Sequence, residues 1–130
     1  MLPLRAAKKA RRIENRTVLL LRYGALVGLT RRPPTGLLAR LWELPALDGH
    51  LSPEETRAAL AARGWQVGKL LSLRPAKHIF TNVEWHMQGY YVELENQPED
   101  LTFVSPSALR ADYALPSAFR AFLSVIEEET

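Results

Sequence analysis

Residues 52–64, SPEETRAALAARG, carry the strongest secondary-structure signal in the sequence. Ser52 is a preferred N-cap residue, and a proline stands at the first helical position. Glu55, three residues after the cap, completes a capping box, and Gly64 stands where the end of a helix favours glycine. The stretch therefore predicts a helix over residues 53–63 that is closed at both ends.

Two apolar, β-branched runs precede this helix and predict a β-hairpin. They are TVLLLRY (17–23) and ALVGLTRRP (25–33), and Gly24 separates them. The stretch LLARLWELPAL (37–47) follows a break rich in proline and glycine. It predicts a loop and a short strand.

Residues 83–88 alternate between apolar and polar side chains, which is typical of a half-buried strand. After Gly89 the apolar residues stand at even positions, at Val92 and Leu94, and no longer at odd ones. We therefore expect a bulge or a turn at that glycine. We assign to the core the large apolar side chains Trp42, Trp65, Val83, Trp85 and Met87.

The remaining predicted elements are short. KLLSLR (69–74) and LTFVS (101–105) predict strands, and PSALRAD (106–112) predicts a turn of helix. A final helix is predicted over residues 117–128. The order of elements predicts an α+β fold, an α/β/α sandwich whose mixed sheet is mostly antiparallel.

Composition limits the classes of protein to consider. The chain has 130 residues, of which 47% are hydrophobic and 24% charged, as in one globular domain. It has no cysteine, which excludes disulfides, cysteine-based zinc sites and iron–sulfur ligation within this chain. No apolar run approaches the roughly 20 residues of a membrane-spanning helix. We therefore expect a cytoplasmic protein without membrane contact.

Positive charge is concentrated at the N-terminus. Residues 1–32 hold nine Lys or Arg and one acidic residue, whereas the rest of the chain holds eight Lys or Arg and thirteen acidic residues. A basic arm on a mildly acidic body indicates an electrostatic contact with phosphate. A charged tail that is merely solvated, or an arm that docks on an acidic protein, would give the same pattern.

The succession of hairpin, LWELPAL (41–47), capped helix and glycine resembles the Nudix hydrolases. In that family the helix carries glutamates three and four residues apart, which share one helix face and hold magnesium against a diphosphate. When Gly64 is aligned with the last glycine of the motif, its three glutamates become Ala58, Ala61 and Ala62. The resemblance implies the Nudix shape without its metal chemistry.

Other catalytic patterns are missing from the sequence. His50, His78 and His86 lack the spacing of a zinc site, and neither a serine nucleophile elbow nor a glycine-rich phosphate loop occurs. Glu54 and Glu55 have no carboxylate three or four residues further on, and both suit the N-terminus of a helix. We therefore expect no enzymatic activity from this chain alone.

Four stretches together resemble the C-terminal domain of MutY-type adenine DNA glycosylases. The similarity covers nearly the whole chain, and the stretches are LPLRAAKKARRIENRTVLLL (2–21), GLLARLWELPALDGHLS (36–52), AKHIFTNVEWHMQGY (76–90) and YALPSAFRAFL (113–123). Members of that family remove adenine mispaired with 8-oxoguanine. The resemblance implies a Nudix-like fold that has lost hydrolysis and recognises the lesion.

The resemblance also implies how the chain is organised. Residues 1–16 would be a basic linker between two domains, and residues 17–130 the Nudix-like lesion-recognition domain. The partners would be double-stranded DNA with an 8-oxoguanine:adenine mispair and the protein's own N-terminal catalytic domain. That other domain would carry an iron–sulfur cluster, while this chain would need no cofactor. The implied location is the bacterial cytoplasm, at the nucleoid.

Phe80, Thr81 and Asn82 stand where the family has a Phe-Ser-His or Phe-Thr-His loop beside the oxidised guanine. 8-Oxoguanine offers an N7–H donor and an O8 acceptor, and the hydroxyl of Thr81 can both accept and donate. The ring of Phe80 can wedge or stack at a base step. Asn82 replaces the histidine of the pattern and cannot become cationic. Without the resemblance, the start of a strand with a buried Phe would be the favoured interpretation of the trio.

The resemblance places the basic arm along DNA. The side chains expected to contact phosphates are Lys8, Lys9, Arg11 and Arg12. Two alternatives remain open, namely a free-standing Nudix-type hydrolase of an oxidised nucleoside triphosphate and a protein-interaction module.

Overall fold

The computed structural model describes residues 10–128 of the chain. Within them lie seven strands and three α-helices, and a short 3₁₀ turn (Ser117–Phe119) leads into the last helix. The elements are β1 (Arg12–Tyr23), β2 (Leu26–Arg31), β3 (Trp42–Glu43), β4 (Ala46–Asp48), α1 (Pro53–Ala62), β5 (Val67–Ile79), β6 (Val83–Leu94), β7 (Thr102–Val104), α2 (Pro106–Asp112) and α3 (Arg120–Glu128).

The strands form one mixed sheet in the order β3-β2-β1-β6-β5, with β4 paired to β1 and β7 to β2. Strands β1 and β6 at its centre are parallel, in a register that runs from Arg12 beside Val83 to Arg22 beside Glu93. The other pairings are antiparallel. The predicted mixed, mostly antiparallel sheet is confirmed.

Helices cover both faces of this sheet. Leu60 of α1 packs with Leu19 and Val92 on one face. Phe119 and Phe122, from the last helical segment, belong to the cluster on the other face. All five side chains are buried, so the central strands are apolar on both sides. The fold is the predicted α/β/α sandwich.

Helix α1 has the predicted caps. The Ser52 hydroxyl accepts a hydrogen bond from the Glu55 N–H at 3.1 Å. The Glu55 carboxylate in turn accepts one from the Ser52 N–H at 2.8 Å. Gly64 follows the helix with φ +81°, a left-handed conformation that glycine adopts without a steric cost. The predicted capping box is therefore confirmed.

The prediction of a bulge or turn at Gly89 is wrong. Strand β6 runs unbroken from Val83 to Leu94, in continuous register with β1. The buried side chains of β6 change from odd to even positions along the strand. Residues 83–89 bury one face of the strand on the side of α3, while residues 90–94 bury the other face on the side of α1. Gly89 leaves room for the ring of Phe122, which a Cβ atom there would overlap. The pairing of β5 with β6 has two register shifts, between Val67 and Leu70 and between Leu73 and Ala76, and in both the extra residue lies in β5.

The sheet begins earlier than expected. Strand β1 starts at Arg12, five residues before residue 17, where the folded domain was expected to begin. Residues 12–16 therefore pair with β6 as part of the sheet. Lys8 and Lys9, two of the expected phosphate contacts, lie outside the described residues.

None of the helices within residues 10–128 combines the length and the hydropathy needed to cross a bilayer.

Candidate nucleic-acid interface

Phe80, Thr81 and Asn82 form the tip of the hairpin between β5 and β6. The Phe80 N–H donates to the Val83 carbonyl at 2.7 Å, which closes the turn. The side chains of Thr81 and Asn82 are exposed, and among residues 10–128 they have no hydrogen-bond partner. Their hydroxyl and amide groups are thus available to a ligand.

The ring of Phe80 is held from below. It is half-buried and meets the ring of Trp85 edge-on, with 5.0 Å between centroids. The ring of His78 also packs against it, with 4.7 Å between the two centroids. Phe80 therefore combines the two expected arrangements, because it anchors the hairpin in the core and still lines a surface cleft. Aromatic pairs of this geometry fix the ring's orientation.

The described end of the basic arm lies beside this tip. The Arg12 N–H donates to the Asn82 carbonyl at 3.1 Å. The Arg11 guanidinium donates to the Phe80 carbonyl at 3.2 Å. The Arg12 side chain remains 67% exposed. Five of the seven predicted site residues are therefore adjacent in space, and the other two are the lysines outside the described residues.

Two carboxylates accompany the arginines. Glu14 accepts a hydrogen bond from the Arg12 guanidinium at 2.8 Å, and this bond lowers the pKa of Glu14, which burial opposes. The hydrogen bond from His86 lowers the pKa of Glu84, which also lies 3.5 Å from Arg11. Exposed ion pairs of this kind add little stability, but they orient the side chains beside the hairpin.

Trp85 stands at the centre of a charged network under the hairpin. Its indole N–H donates to Glu14 at 3.1 Å, and the Arg16 guanidinium lies 4.2 Å from its ring centroid. Arg16 and Arg32 both contact Glu43, at 3.5 and 3.3 Å. Burial lowers the pKa of Arg16, and the charge of Glu43 opposes that effect. The predicted core position of Trp85 is confirmed, but its charged partners were not predicted.

The loop between β2 and β3 supplies a second wall beside the hairpin. The Arg32 guanidinium donates to the Leu37 carbonyl at 3.0 Å. Leu37 then lines the same cleft as Arg12 and residues 79–83, a cleft of about 570 Å³. The sequence signalled only a break rich in proline and glycine here, so the role of Leu37 was missed.

The magnesium site that the Nudix shape implies does not fit the residues of α1. The side chains of Ala58, Ala61 and Ala62 offer no oxygen ligand. The Glu55 carboxylate is engaged in the capping box. Within the described residues, 10–128, no three His, Asp or Glu side chains lie together in a way that could hold a metal ion. Magnesium prefers carboxylate oxygens, so helix α1 lacks the chemistry of a hydrolytic metal centre.

The expected resemblance to adenine DNA glycosylases is confirmed in sequence. The chain is 32% identical to the human adenine DNA glycosylase in an alignment 116 residues long, which covers 82% of this chain and 21% of the human protein. The chain thus spans about one fifth of the length of this relative.

Two solved structures have a similar fold. The C-terminal domain of mouse MUTYH, from its crystal structure with human PCNA, superposes with a TM-score of 0.64 at 24% identity, over 89% of this chain and 88% of that one. The MutT NUDIX hydrolase from Burkholderia pseudomallei gives a TM-score of 0.66 at 17% identity, over 92% of this chain and 100% of that one. These likenesses concern the fold alone.

The sequence profile of the NUDIX domain family matches residues 17–125 of the chain. The matched region runs from strand β1 into helix α3 and includes α1 and the β5–β6 hairpin. This chain therefore belongs to the NUDIX domain family.

Proposed function

We propose that this chain is the non-catalytic lesion-recognition domain of an adenine DNA glycosylase and that it recognises 8-oxoguanine opposite adenine in base excision repair. The observation that carries the proposal is the hairpin tip, where the exposed Thr81 and Asn82 adjoin an aromatic ring packed on Trp85 and two arginines. The identity to a curated adenine DNA glycosylase supports it independently.

In this proposal Thr81 is the residue that distinguishes 8-oxoguanine from guanine. Guanine has only an acceptor at N7, whereas 8-oxoguanine has an N7–H donor and an O8 acceptor. A hydroxyl can accept from the first and donate to the second, and Thr81 is exposed with its hydroxyl free. Asn82 adds a neutral amide that can donate and accept, while Phe80, held by Trp85, contacts the neighbouring base step.

The arginines supply contacts that do not depend on base sequence. Arg11 and Arg12 donate hydrogen bonds to backbone carbonyls of the hairpin tip. A phosphate beside the recognised base would therefore be within reach of their guanidinium groups. Lys8 and Lys9 precede them in the chain and would extend the same contact. The arm thus sets the position of the domain, and the hairpin reads the base.

Excision belongs to another part of the protein in this proposal. The partner is an N-terminal catalytic domain with an iron–sulfur cluster, to which the residues before strand β1 would be the linker. This chain has no cysteine to bind such a cluster. In this proposal the whole protein acts on DNA in the bacterial cytoplasm, at the nucleoid.

A hydrolase of oxidised nucleoside triphosphates is the alternative that shares this fold. It would need carboxylates on α1, where Ala58, Ala61 and Ala62 stand. Incubation with 8-oxo-dGTP over a range of magnesium concentrations should release no pyrophosphate or phosphate above a control without protein. Turnover above that control would favour the hydrolase.

The proposed function is tested by DNA binding of this chain. Fluorescence anisotropy in moderate salt would give dissociation constants for two duplexes that differ only in 8-oxoguanine or guanine opposite adenine. The proposal expects tighter binding of the 8-oxoguanine duplex. Equal affinities would overturn it, and the absence of any DNA binding would leave the protein-interaction module as the better account of the basic arm.

A further inference from the structure

Strand β5 leaves one edge of the sheet open. It is the last strand in the order β3-β2-β1-β6-β5, and within residues 10–128 it pairs only with β6. The strand is 13 residues long, whereas folded proteins tend to keep their edge strands short. Alternate residues of an edge strand direct their N–H and C=O groups away from the neighbouring strand. These groups are available to pair with another chain.

Irregularities at two points confine the accessible part of this edge. The pairing with β6 shifts on both sides of residues 70–73, and Pro75 has no N–H to offer a further strand. Bulges and proline are features by which edge strands avoid pairing. Between them, residues 70–73 pair regularly with residues 89–92. Residues 70–73, the open segment, are therefore the part of β5 that an added strand could extend.

The open segment offers apolar surface. Leu71 is 46% exposed, although it is a large hydrophobic side chain. A cleft of about 230 Å³ lies beside it, between β5 and helix α3. Its lining consists of Lys69, Leu71, Ser72, Leu73, Tyr91 and Val125. A strand that pairs with the open segment would place every second side chain on this face of the sheet, where the cleft can accept a small apolar group.

Positive charges flank the open segment. Lys69 and Arg74 are exposed, and within residues 10–128 neither forms a hydrogen bond or an ion pair. No residue from 67 to 79 is acidic. Antiparallel pairing of two copies of the open segment would set Lys69 of each copy opposite Arg74 of the other, and like charges directly opposite are unfavourable. The charges therefore oppose a second copy of this chain and favour a strand with carboxylates at those positions.

We propose that the open segment of β5 binds an extended acidic segment of a partner protein, which adds to the sheet as an antiparallel strand. Its acidic residues lie opposite Lys69 and Arg74, five positions apart, and apolar residues lie between them. Backbone pairing supplies the affinity of such a complex, and the side-chain contacts supply its specificity. The hairpin tip takes no part in this interaction, which is separate from the recognition of DNA.

The test uses the synthetic peptide STEVTVTETS, whose two glutamates are five positions apart, and a counterpart with lysine in place of both glutamates. The glutamate peptide should bind this chain at least about five-fold more tightly, because two cross-strand charge pairs change from repulsive to attractive. At saturation, backbone amide hydrogens within residues 70–73 should exchange about ten-fold more slowly or less. Equal affinity for the two peptides, or protection of other strands alone, would overturn the proposal.

The double substitution Lys69→Glu and Arg74→Glu should reverse the preference, so that the lysine peptide binds more tightly. An unfolded variant could not gain such binding, which separates the contact from damage to the fold. Lys77→Glu is the matched control, since Lys77 is an exposed cation of the same strand beyond the second irregularity. It should change the affinity for the glutamate peptide by less than about two-fold. An equal loss in the control would reduce the effect to general charge attraction and refute the proposal.

Two other occupants of the edge are distinguished in the same experiments. Sedimentation equilibrium should show that the unaltered chain is a monomer without peptide. A dimer with slow amide exchange in residues 70–73 would assign the edge to a second copy and overturn the proposal. Protection of the same amides by a DNA duplex, without protection by the glutamate peptide, would assign the edge to DNA and overturn it as well.

Discussion

The ring of Phe80 meets the ring of Trp85 edge-on at 5.0 Å, and the guanidinium of Arg16 lies 4.2 Å from the centroid of the same tryptophan. One buried indole therefore joins the hairpin tip to the charged network beneath it. Glu14 accepts the indole N–H, which fixes the tryptophan in turn. The contacts of Phe80 with Trp85 thus hold the hairpin that carries Thr81 and Asn82. A binding site held in place before the ligand arrives loses little conformational entropy on binding.

Thr81→Val should abolish most of the preference for 8-oxoguanine over guanine. Valine keeps the β-branched shape, so packing should barely change, but it removes the hydroxyl. We expect a loss of about 1–3 kcal/mol in the difference between the two binding free energies. The measurement is the pair of dissociation constants, and Thr81→Ser is the control that should retain the preference. If Thr81→Val stays folded and binds both duplexes with an unchanged ratio, the hydroxyl does not read the base.

The salt dependence of DNA binding should show how many phosphates the basic arm contacts. If Lys8, Lys9, Arg11 and Arg12 each neutralise a phosphate, the slope of log K against log salt concentration should be about −3 to −4. The double substitution of Lys8 and Lys9 by Gln should make that slope less negative by about 2. Arg57→Gln, on the exposed side of α1, is the control that should not change it. An unchanged slope in the lysine variant would place the phosphate contact elsewhere.

Local signals made the helices and the strand alternation predictable, whereas long-range contacts did not. The capping box of α1 lies within four consecutive residues, so the sequence specifies it directly. The bond from Trp85 to Glu14 joins residues 71 positions apart, and no local pattern encodes it. The prediction at Gly89 failed for a related reason. Strand β6 is buried by helices on both faces, so its apolar residues move from odd to even positions without any break in the strand.

Gly89→Ala should destabilise the fold. A Cβ atom at residue 89 would overlap the ring of Phe122, and such overpacking typically costs about 1–3 kcal/mol. The free energy of unfolding by urea would measure the loss. Phe122→Leu shortens the opposing side chain, so the double variant should lose less than the sum of the two single variants. Strict additivity would mean that the two side chains do not meet.

The carboxyl of Glu14 should titrate below the ordinary range of glutamate, because the hydrogen bond from Arg12 lowers its pKa. A lowered folded-state pKa means that its contribution to stability is complete above the ordinary value. The contribution is lost as the pH falls through the folded value. A carboxyl NMR titration should show the pKa of Glu14 rising in Arg12→Gln. Arg11→Gln, which alters the partner of Glu84 instead, should leave it unchanged; a rise of equal size there would contradict the assignment.

Arg40→Gly should stabilise the protein, although most substitutions of arginine by glycine do the opposite. Arg40 has φ 64°, a conformation that costs a residue with a Cβ atom about 1–2 kcal/mol. Glycine removes this cost but loses about 0.5–1 kcal/mol through the greater entropy of its unfolded chain. The difference is a net gain of up to about 1.5 kcal/mol in the free energy of unfolding, with a central value of about 0.8 kcal/mol.

The loop should survive this change, because its hydrogen bonds at residue 40 use the backbone. The Arg40 N–H donates to the Pro33 carbonyl at 2.9 Å, and the Arg40 carbonyl accepts from Arg31. Arg40→Ala is the matched control, since alanine keeps the Cβ atom and the strain while it removes the same charge. Urea unfolding should rank the glycine variant above both the alanine variant and the unaltered chain. A glycine variant less stable than the alanine variant would mean that the left-handed conformation at residue 40 stores no strain.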